Sequence, residues 1–85
     1  MIHIKENVMD KRTVSIEVAG VLDQGAISVL EGVCERHLVG EKNVLLDLEG
    51  LVHITREGIR FLHGIHQRVN IKNLPEFVKL DPRDQ

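Results

Sequence analysis

Three segments of this 85-residue chain alternate between apolar and polar residues, and this period of two constrains the fold more than any other feature. The apolar positions are Ile2, Ile4 and Val8 in the first segment, Val14, Ile16 and Val18 in the second, and Val44, Leu46 and Leu48 in the third. Alternation gives a strand one apolar and one polar side, whereas strands buried on both faces of a parallel sheet are apolar throughout. We therefore predict a two-layer α/β fold with helices mainly on one face of a mixed sheet and water on part of the other.

The first two segments are separated only by Asp10-Lys11, so they are predicted to pair as an antiparallel hairpin whose second strand ends at Gly20. Asp23 then suits the N-cap of a helix of about fifteen residues, because apolar residues follow it at spacings of three and four. Gly40 suits the left-handed residue after the end of that helix.

The third strand is followed by a short loop and by Thr55, which is predicted to cap a second helix that runs to about Val69. Ile71 centres a short fourth strand, and Pro75 begins a last short helix over 75–80. The predicted order is β-β-α-β-α-β-α in a four-stranded sheet. Residues 1–80 form one domain, and residues 81–85 form a frayed tail.

The charge pattern excludes several classes of function. The net charge is −2 and no basic run is present, which gives no electrostatic case for nucleic acid or for an anionic membrane. No apolar run approaches the roughly 20 residues that span a bilayer, so direct membrane insertion is not expected. The single cysteine, Cys34, lies on the predicted core face and fits a reducing compartment. We therefore predict a cytoplasmic protein.

Two short motifs resemble the STAS domain (sulphate transporter and anti-sigma antagonist). The family segment runs roughly D-L-S-x-V-x-F-I-D-S-S-G-L, and residues 47–59 are similar to it. The stretch Gly20-Val21-Leu22-Asp23 is similar to the family's G-x-L-D. The order of the predicted elements also agrees with the STAS fold, although the chain stops before the longer last helix of a typical member.

The resemblance implies a protein-interaction switch with one departure. In the family the second serine of D-S-S-G accepts a phosphate, and the equivalent tetrapeptide here is Thr55-Arg56-Glu57-Gly58, so Glu57 replaces the acceptor. Phosphorylation at that position is therefore excluded. A second interpretation of Glu57 needs no function, because an acidic residue in the first turn of a helix is stabilised by the helix dipole.

The family's partner-binding surface is formed by this helix start and the loop before it. The resemblance carries that role to His53, Thr55, Arg56 and Glu57, and helical geometry extends it to Arg60, Phe61 and Gly64. Phe61 either lies exposed at the edge of this surface or leans into the core. Asp23 and Asp47 lie at or near the predicted ends of the second and third strands, and if these strands run parallel both carboxylates approach Glu57. A helix cap also explains Asp23.

The predicted function is non-enzymatic binding of another protein, as in an anti-sigma factor antagonist of bacterial transcription regulation and signalling. The partner implied is an anti-sigma kinase. The alternatives are an accessory subunit that binds the ATPase of an ABC-type lipid transporter, and a scaffold in a signalling assembly; a homodimer is left open. No cofactor is predicted, and no catalytic constellation is visible. His63 and His66, with His53 nearby, form the weak case for a metal site, and ordinary boundary histidines are the favoured interpretation.

Overall fold

A computed structural model of the chain describes residues 2–76 and residue 78. The elements are β1 (Ile2–Val8), β2 (Thr13–Leu22), α1 (Gln24–Val39), β3 (Asn43–Ile54), α2 (Arg56–Ile65) and β4 (Asn70–Lys72). The strands form one sheet in the order β1-β2-β3-β4. The predicted last helix over 75–80 lies outside the described residues except at Pro75, Glu76 and Val78, and the predicted tail over 81–85 lies wholly outside them.

The sheet is mixed, as predicted. β1 pairs antiparallel with β2, from Ile2 opposite Gly20 to Val8 opposite Val14, and β3 runs parallel to both β2 and β4. The connections from β2 to β3 and from β3 to β4 each lead to the neighbouring strand, and both lead toward the same edge of the sheet. Because such crossovers are right-handed, both helices lie on the same face of the sheet, and the two-layer α/β prediction is confirmed.

The core lies between this face and the two helices, and it is aliphatic. Among the described residues, no charged or polar side chain is buried. The fully buried side chains are those of Val14, Ile16, Val18, Leu22, Leu30, Cys34, Val44, Leu46, Leu48 and Leu62. In β2 and β3, every apolar residue of the alternating pattern is among these buried side chains. The polar residues between them therefore form the open face of the sheet.

β3 is longer than predicted, and two bulges explain why. Glu17 pairs with Asp47 but Ala19 with Gly50, and Gly20 pairs with Leu51 but Val21 with His53, so β3 gains one residue at each step. The buried positions of β3 therefore change from a spacing of two to a spacing of three, at Leu48, Leu51 and Ile54. The prediction of a loop before Thr55 is wrong because this spacing breaks the alternation on which the strand prediction depended.

β2 also continues past Gly20, where the predicted strand ended, to Leu22. Gly20 has φ of 100° and adjoins the second bulge. Glycine adopts this conformation without the strain that a side chain would add, so here it bends a strand and does not terminate one.

The ends of the helices differ from prediction in two places. The left-handed residue after α1 is Glu41, with φ of 60°, and not Gly40, which caps the helix at φ of −78°. The Lys42 N–H donates to the His37 carbonyl at 3.1 Å, as in the common glycine-type helix ending displaced by one residue from the glycine. α2 ends at Ile65 and not near Val69, and in the turn that follows the Ile65 carbonyl accepts from the Arg68 N–H at 2.8 Å and from the Val69 N–H at 3.2 Å.

Candidate functional site

The two helices begin at the same edge of the sheet. β2 and β3 end side by side, with Leu22 opposite Ile54, and each strand passes directly into a helix. The N-caps Asp23 and Thr55 therefore lie at the carboxyl edge of two neighbouring parallel strands. In open α/β sheets this edge is the usual place for a binding site.

Asp23 is confirmed as a helix cap. Its Oδ1 accepts a hydrogen bond from the Ala26 N–H at 2.9 Å, which satisfies one of the free donors in the first turn of α1. The residue is exposed, so one oxygen serves the helix while the side chain remains accessible at the edge.

Thr55 is half-buried and joins the two strand ends. Its N–H donates to the Leu22 carbonyl at 3.0 Å, and its hydroxyl donates to the same carbonyl at 3.3 Å. The hydroxyl oxygen also accepts from the Gly58 N–H at 3.2 Å. Both hydrogen-bonding roles of the hydroxyl are thus occupied by the backbone, which explains a threonine at this position without any modification of it.

Close packing of α2 against the sheet explains why the tetrapeptide ends in a glycine, Gly58. A Cβ atom at this position would lie 2.6 Å from the Leu22 carbonyl oxygen and 2.8 Å from Ile54 Cγ2, and both distances are too short for real contacts. The first turn of α2 consequently rests against the last residues of β2 and β3. The position of residue 57 relative to the sheet edge is fixed by this contact.

Glu57 is exposed in the first turn of α2. Within residues 2–76, its side chain has no hydrogen bond or ion pair. A carboxylate here gains about 0.3–1 kcal/mol from the helix dipole. It is a solvated anion at the N-terminus of a helix, held by the rigid turn from Thr55 to Gly58.

Several exposed side chains lie close to this position in the chain. His53 precedes the cap, and Arg56 and Arg60 lie on the outer side of α2. Val52 is 74% exposed at the end of β3 and was missed in the sequence, where these residues were predicted to be a loop. Continued alternation from Val44 would have placed Val52 on the buried side, so no local signal marked it as exposed, and it is the bulges that turn it outward. We refer to the set as the Glu57 surface, and it comprises Val52, His53, Arg56, Glu57 and Arg60.

Phe61 and Gly64 lie elsewhere. Phe61 packs against the core in a half-buried position, so the interpretation in which it leans inward is correct. Together with Gly64 it lines a groove between α2 and α1, of about 260 Å³, which also contains Glu31, Glu35 and Arg68. One end of the groove is bridged by Arg68 Nη1 and Glu35 Oε1 at 2.6 Å. The partner-binding role predicted for Phe61 and Gly64 would therefore concern this groove and not the Glu57 surface.

Asp47 does not approach Glu57, contrary to expectation. It pairs with Lys72 in the middle of β3, seven residues before the end of the strand, and faces the open side of the sheet. Hydrogen bonds from Asn73 Nδ2 at 2.9 Å and from the Glu49 N–H at 3.0 Å hold the pKa of its carboxyl below the usual range. Asp47 lies opposite Glu17, well before the end of β2 at Leu22, and the two bulges each add one further residue to β3 after it.

The histidines and Cys34 are the remaining side chains with metal-binding or nucleophilic chemistry. In the described part of the chain, no group of three or more His, Cys, Asp or Glu residues is arranged to hold a metal ion. His66 Nδ1 lies 2.8 Å from the His63 carbonyl oxygen. Cys34 is fully buried on the core face, as predicted, and burial raises the pKa of its thiol to about 11. Among the helices described, none is long and apolar enough to cross a membrane.

Comparison with known proteins identifies the fold. No family model matches the sequence, and no curated protein does either. The structure is similar to that of the anti-sigma factor antagonist SpoIIAA in its unphosphorylated form, with a TM-score of 0.69 and 15% identity over 88% of this chain and 76% of that one. It is also similar to an uncharacterised protein of the DUF3478 family from Shewanella loihica PV-4, which has a SpoIIAA-like fold, with a TM-score of 0.61 and 15% identity over 98% and 75% of the two chains. The chain therefore has a STAS-like, SpoIIAA-like fold.

Proposed function

We propose that this chain is a non-enzymatic protein-interaction module that acts like an anti-sigma factor antagonist, with Glu57 in place of the phospho-accepting serine. The observation that carries the proposal is the position of Glu57, an exposed carboxylate at the N-terminus of α2, within a turn that Thr55 and Gly58 fix against the sheet edge. The similarity to SpoIIAA supports the fold on which this surface is displayed.

The carboxylate gives the surface a fixed charge. Glu57 carries one negative charge, whereas a phosphoserine carries about −1.5 to −2 and three acceptor oxygens. The negative charge of the surface is thus permanent, and it is smaller than the charge of the same surface with a phosphoserine. A partner would bind it with an affinity that does not respond to a kinase at this position.

Thr55 does not replace the missing serine in this proposal. Its hydroxyl already donates to the Leu22 carbonyl and accepts from the Gly58 N–H, so a phosphate there would remove a helix cap and a link between the strand ends. The partner contact is proposed to involve His53, Arg56 and Arg60 around Glu57, with the exposed Asp23 at the neighbouring helix start.

The test is an affinity capture from source-cell lysate, followed by incubation with ATP. The baits are the wild type, Glu57→Ser and the control Glu49→Ser, which changes an exposed glutamate on the open face of the sheet. We expect all three to capture an ATP-binding kinase, with the wild type and Glu49→Ser, which keep the carboxylate at position 57, capturing less of it than Glu57→Ser. Only Glu57→Ser should then gain a phosphate, mapped by mass spectrometry to the introduced serine, and release the kinase.

Two results would contradict the proposal. One is the absence of phosphate on Glu57→Ser when a conventional antagonist is labelled by the same kinase. The other is capture of a transporter ATPase by all three baits without phosphorylation, which would replace the antagonist role with that of an accessory transporter subunit.

A further inference from the structure

The end of the molecule opposite the Glu57 surface carries exposed apolar side chains that the core does not use. Of the large apolar side chains exposed in the described residues, three lie at this end: Val8 at 77%, Met9 at 61% and Val39 at 78%. Val8 ends β1, Met9 begins the β1–β2 turn, and Val39 ends α1. None of them packs against the described core.

A contact between β1 and α1 shows that these side chains lie at one end. Glu6 Oε1 is 2.6 Å from Arg36 Nη2 and 2.6 Å from His37 Nε2. Val8 is the next residue of β1 on the same side of the strand, and Val39 lies almost one turn further along α1. Beyond this contact, both elements run toward the same end of the sheet, where they stop.

Cations follow the exposed apolar residues closely in the chain, Lys11 and Arg12 after Met9 and Lys42 after Val39. The β1–β2 turn and the loop after α1 enclose a cavity of about 380 Å³ that is lined by Lys11, Arg12, Gly40, Glu41 and Lys42. The two loops are joined by the Asn43 N–H, which donates to the Arg12 carbonyl at 2.6 Å. Asp10 is the remaining charge in these loops. Its Oδ1 accepts from the Arg12 N–H at 2.8 Å, which holds the pKa of this carboxyl below its usual range.

The charge of this end is opposite to that of the whole chain. The two loops contain three cations and two carboxylates, a formal charge of +1, in a protein whose total is −2. The net charge of the sequence gave no case for an anionic membrane because it averages over the molecule. The fold separates the charges and brings Lys42 next to the turn that contains Lys11 and Arg12.

We propose that this end, comprising Val8, Met9, Lys11, Arg12, Val39 and Lys42, docks on the surface of an anionic lipid membrane. Apolar side chains at protruding tips enter the boundary between headgroups and acyl chains, and cations beside them attract the negative surface. Partners that bind apolar grooves require a concave apolar site, whereas here the apolar atoms protrude and the cavity between the loops is polar. The interaction is peripheral and needs no spanning helix.

The proposed orientation leaves the Glu57 surface free. That surface is at the carboxyl ends of β2 and β3, and the docking end is at their amino ends. A membrane-bound molecule would therefore present Glu57 away from the lipid. The inference does not depend on the proposed function, because any partner of the Glu57 surface would remain accessible.

The test is co-sedimentation of the purified chain with phosphatidylglycerol vesicles and, separately, with phosphatidylcholine vesicles. We expect binding to phosphatidylglycerol that weakens as salt is added, and little binding to phosphatidylcholine. Changing Lys11→Gln and Lys42→Gln should weaken binding roughly fivefold for each cation removed. The matched control is Lys72→Gln, an exposed lysine in β4.

The apolar contribution is tested by a second pair of variants. Met9→Asp and Val39→Asp should each weaken vesicle binding by roughly tenfold or more. Val29→Asp changes a valine that is 54% exposed in the middle of α1, and it should bind as the wild type does. Circular dichroism establishes that each variant is folded.

Three outcomes would overturn the proposal. They are no sedimentation with phosphatidylglycerol at low salt, equal loss of binding in Val29→Asp and Met9→Asp, and a stable dimer in analytical ultracentrifugation that Met9→Asp dissociates. The last would identify a second copy of the chain, and not a membrane, as the occupant of this end.

Discussion

At the residue scale, the tetrapeptide Thr55-Arg56-Glu57-Gly58 contains two residues that the fold requires and two exposed residues that it does not constrain. Thr55 and Gly58 are required by the joint between α2 and the sheet: one supplies the cap, and the other allows the close approach. Arg56 and Glu57 are exposed and meet no such constraint. The two structural residues of the motif therefore hold its two exposed residues in place.

Gly58→Ala is expected to destabilise the protein by about 1–3 kcal/mol or more, because the added methyl group would meet the Leu22 carbonyl oxygen and Ile54. The measurement is the free energy of unfolding from urea titration. Gly64→Ala is the matched control in the same helix. A Cβ there has no atom within 4 Å, so the higher helix propensity of alanine should stabilise the protein by about 0.5–1 kcal/mol. Equal effects of the two substitutions would show that the contact at Gly58 does not limit stability.

At the element scale, the edge strand β1 is tied to the last turn of α1 by a charged side chain on the inner side of the sheet. Ile2 and Ile4 face the helices, and Glu6 continues the same side of the strand. Its carboxylate contacts Arg36 and His37. A polar residue at the apolar side of an alternating strand is explained by this contact.

The pH dependence of this contact has a definite sign. The hydrogen bond with His37, followed by that with Arg36, holds the pKa of Glu6 below its ordinary value of 4.5. A lowered pKa in the folded state stabilises the protein above pH 4.5, and this contribution is lost as the pH falls through the folded-state value.

Glu6→Gln should therefore destabilise the protein near neutral pH, by less than about 1 kcal/mol because the pair is solvated. The difference from wild type should shrink as the pH falls below 4.5 and through the folded-state pKa of Glu6. Urea titrations at several pH values provide the measurement, and Glu31→Gln, on the exposed side of α1, is the control. A difference that stays constant with pH would mean that Glu6 acts by packing and not by charge.

At the scale of the whole molecule, one aliphatic core connects both helices to the two central strands. Cys34 is fully enclosed in this core, and desolvation raises the pKa of its thiol from 9.0 to about 11. The thiolate is the reactive form. Reaction with an aromatic disulfide reagent thus requires the core to open.

Native protein should react with such a reagent at pH 8 far more slowly than protein unfolded in guanidinium chloride. In the limit of fast reclosing, the ratio of the two rates gives the free energy of opening. Gly58→Ala should raise the reaction rate of the native protein by the factor that corresponds to the free energy of unfolding it loses in the urea titration. A native rate equal to the unfolded rate would contradict the enclosed position of Cys34.

Local patterns in the chain were sufficient to predict the two-layer α/β fold, the four strands, and the caps Asp23 and Thr55. Each of these depends on local periodicity or on hydrogen bonds to residues nearby in the chain. Glu57 at the start of a helix was predicted for the same reason, since the cap and the first turn are local features. Its role in binding remains a prediction.

The length of β3, the position of Asp47 and the direction of Phe61 depend instead on contacts between elements that are distant in the chain. The two bulges exist relative to β2, and a register between strands is not written in either strand alone. Phe61 turns inward because α1 lies beside it. The cations at the opposite end are likewise separated by 30 positions in the sequence, between Arg12 and Lys42, and are brought together because α1 returns the chain to the start of the sheet.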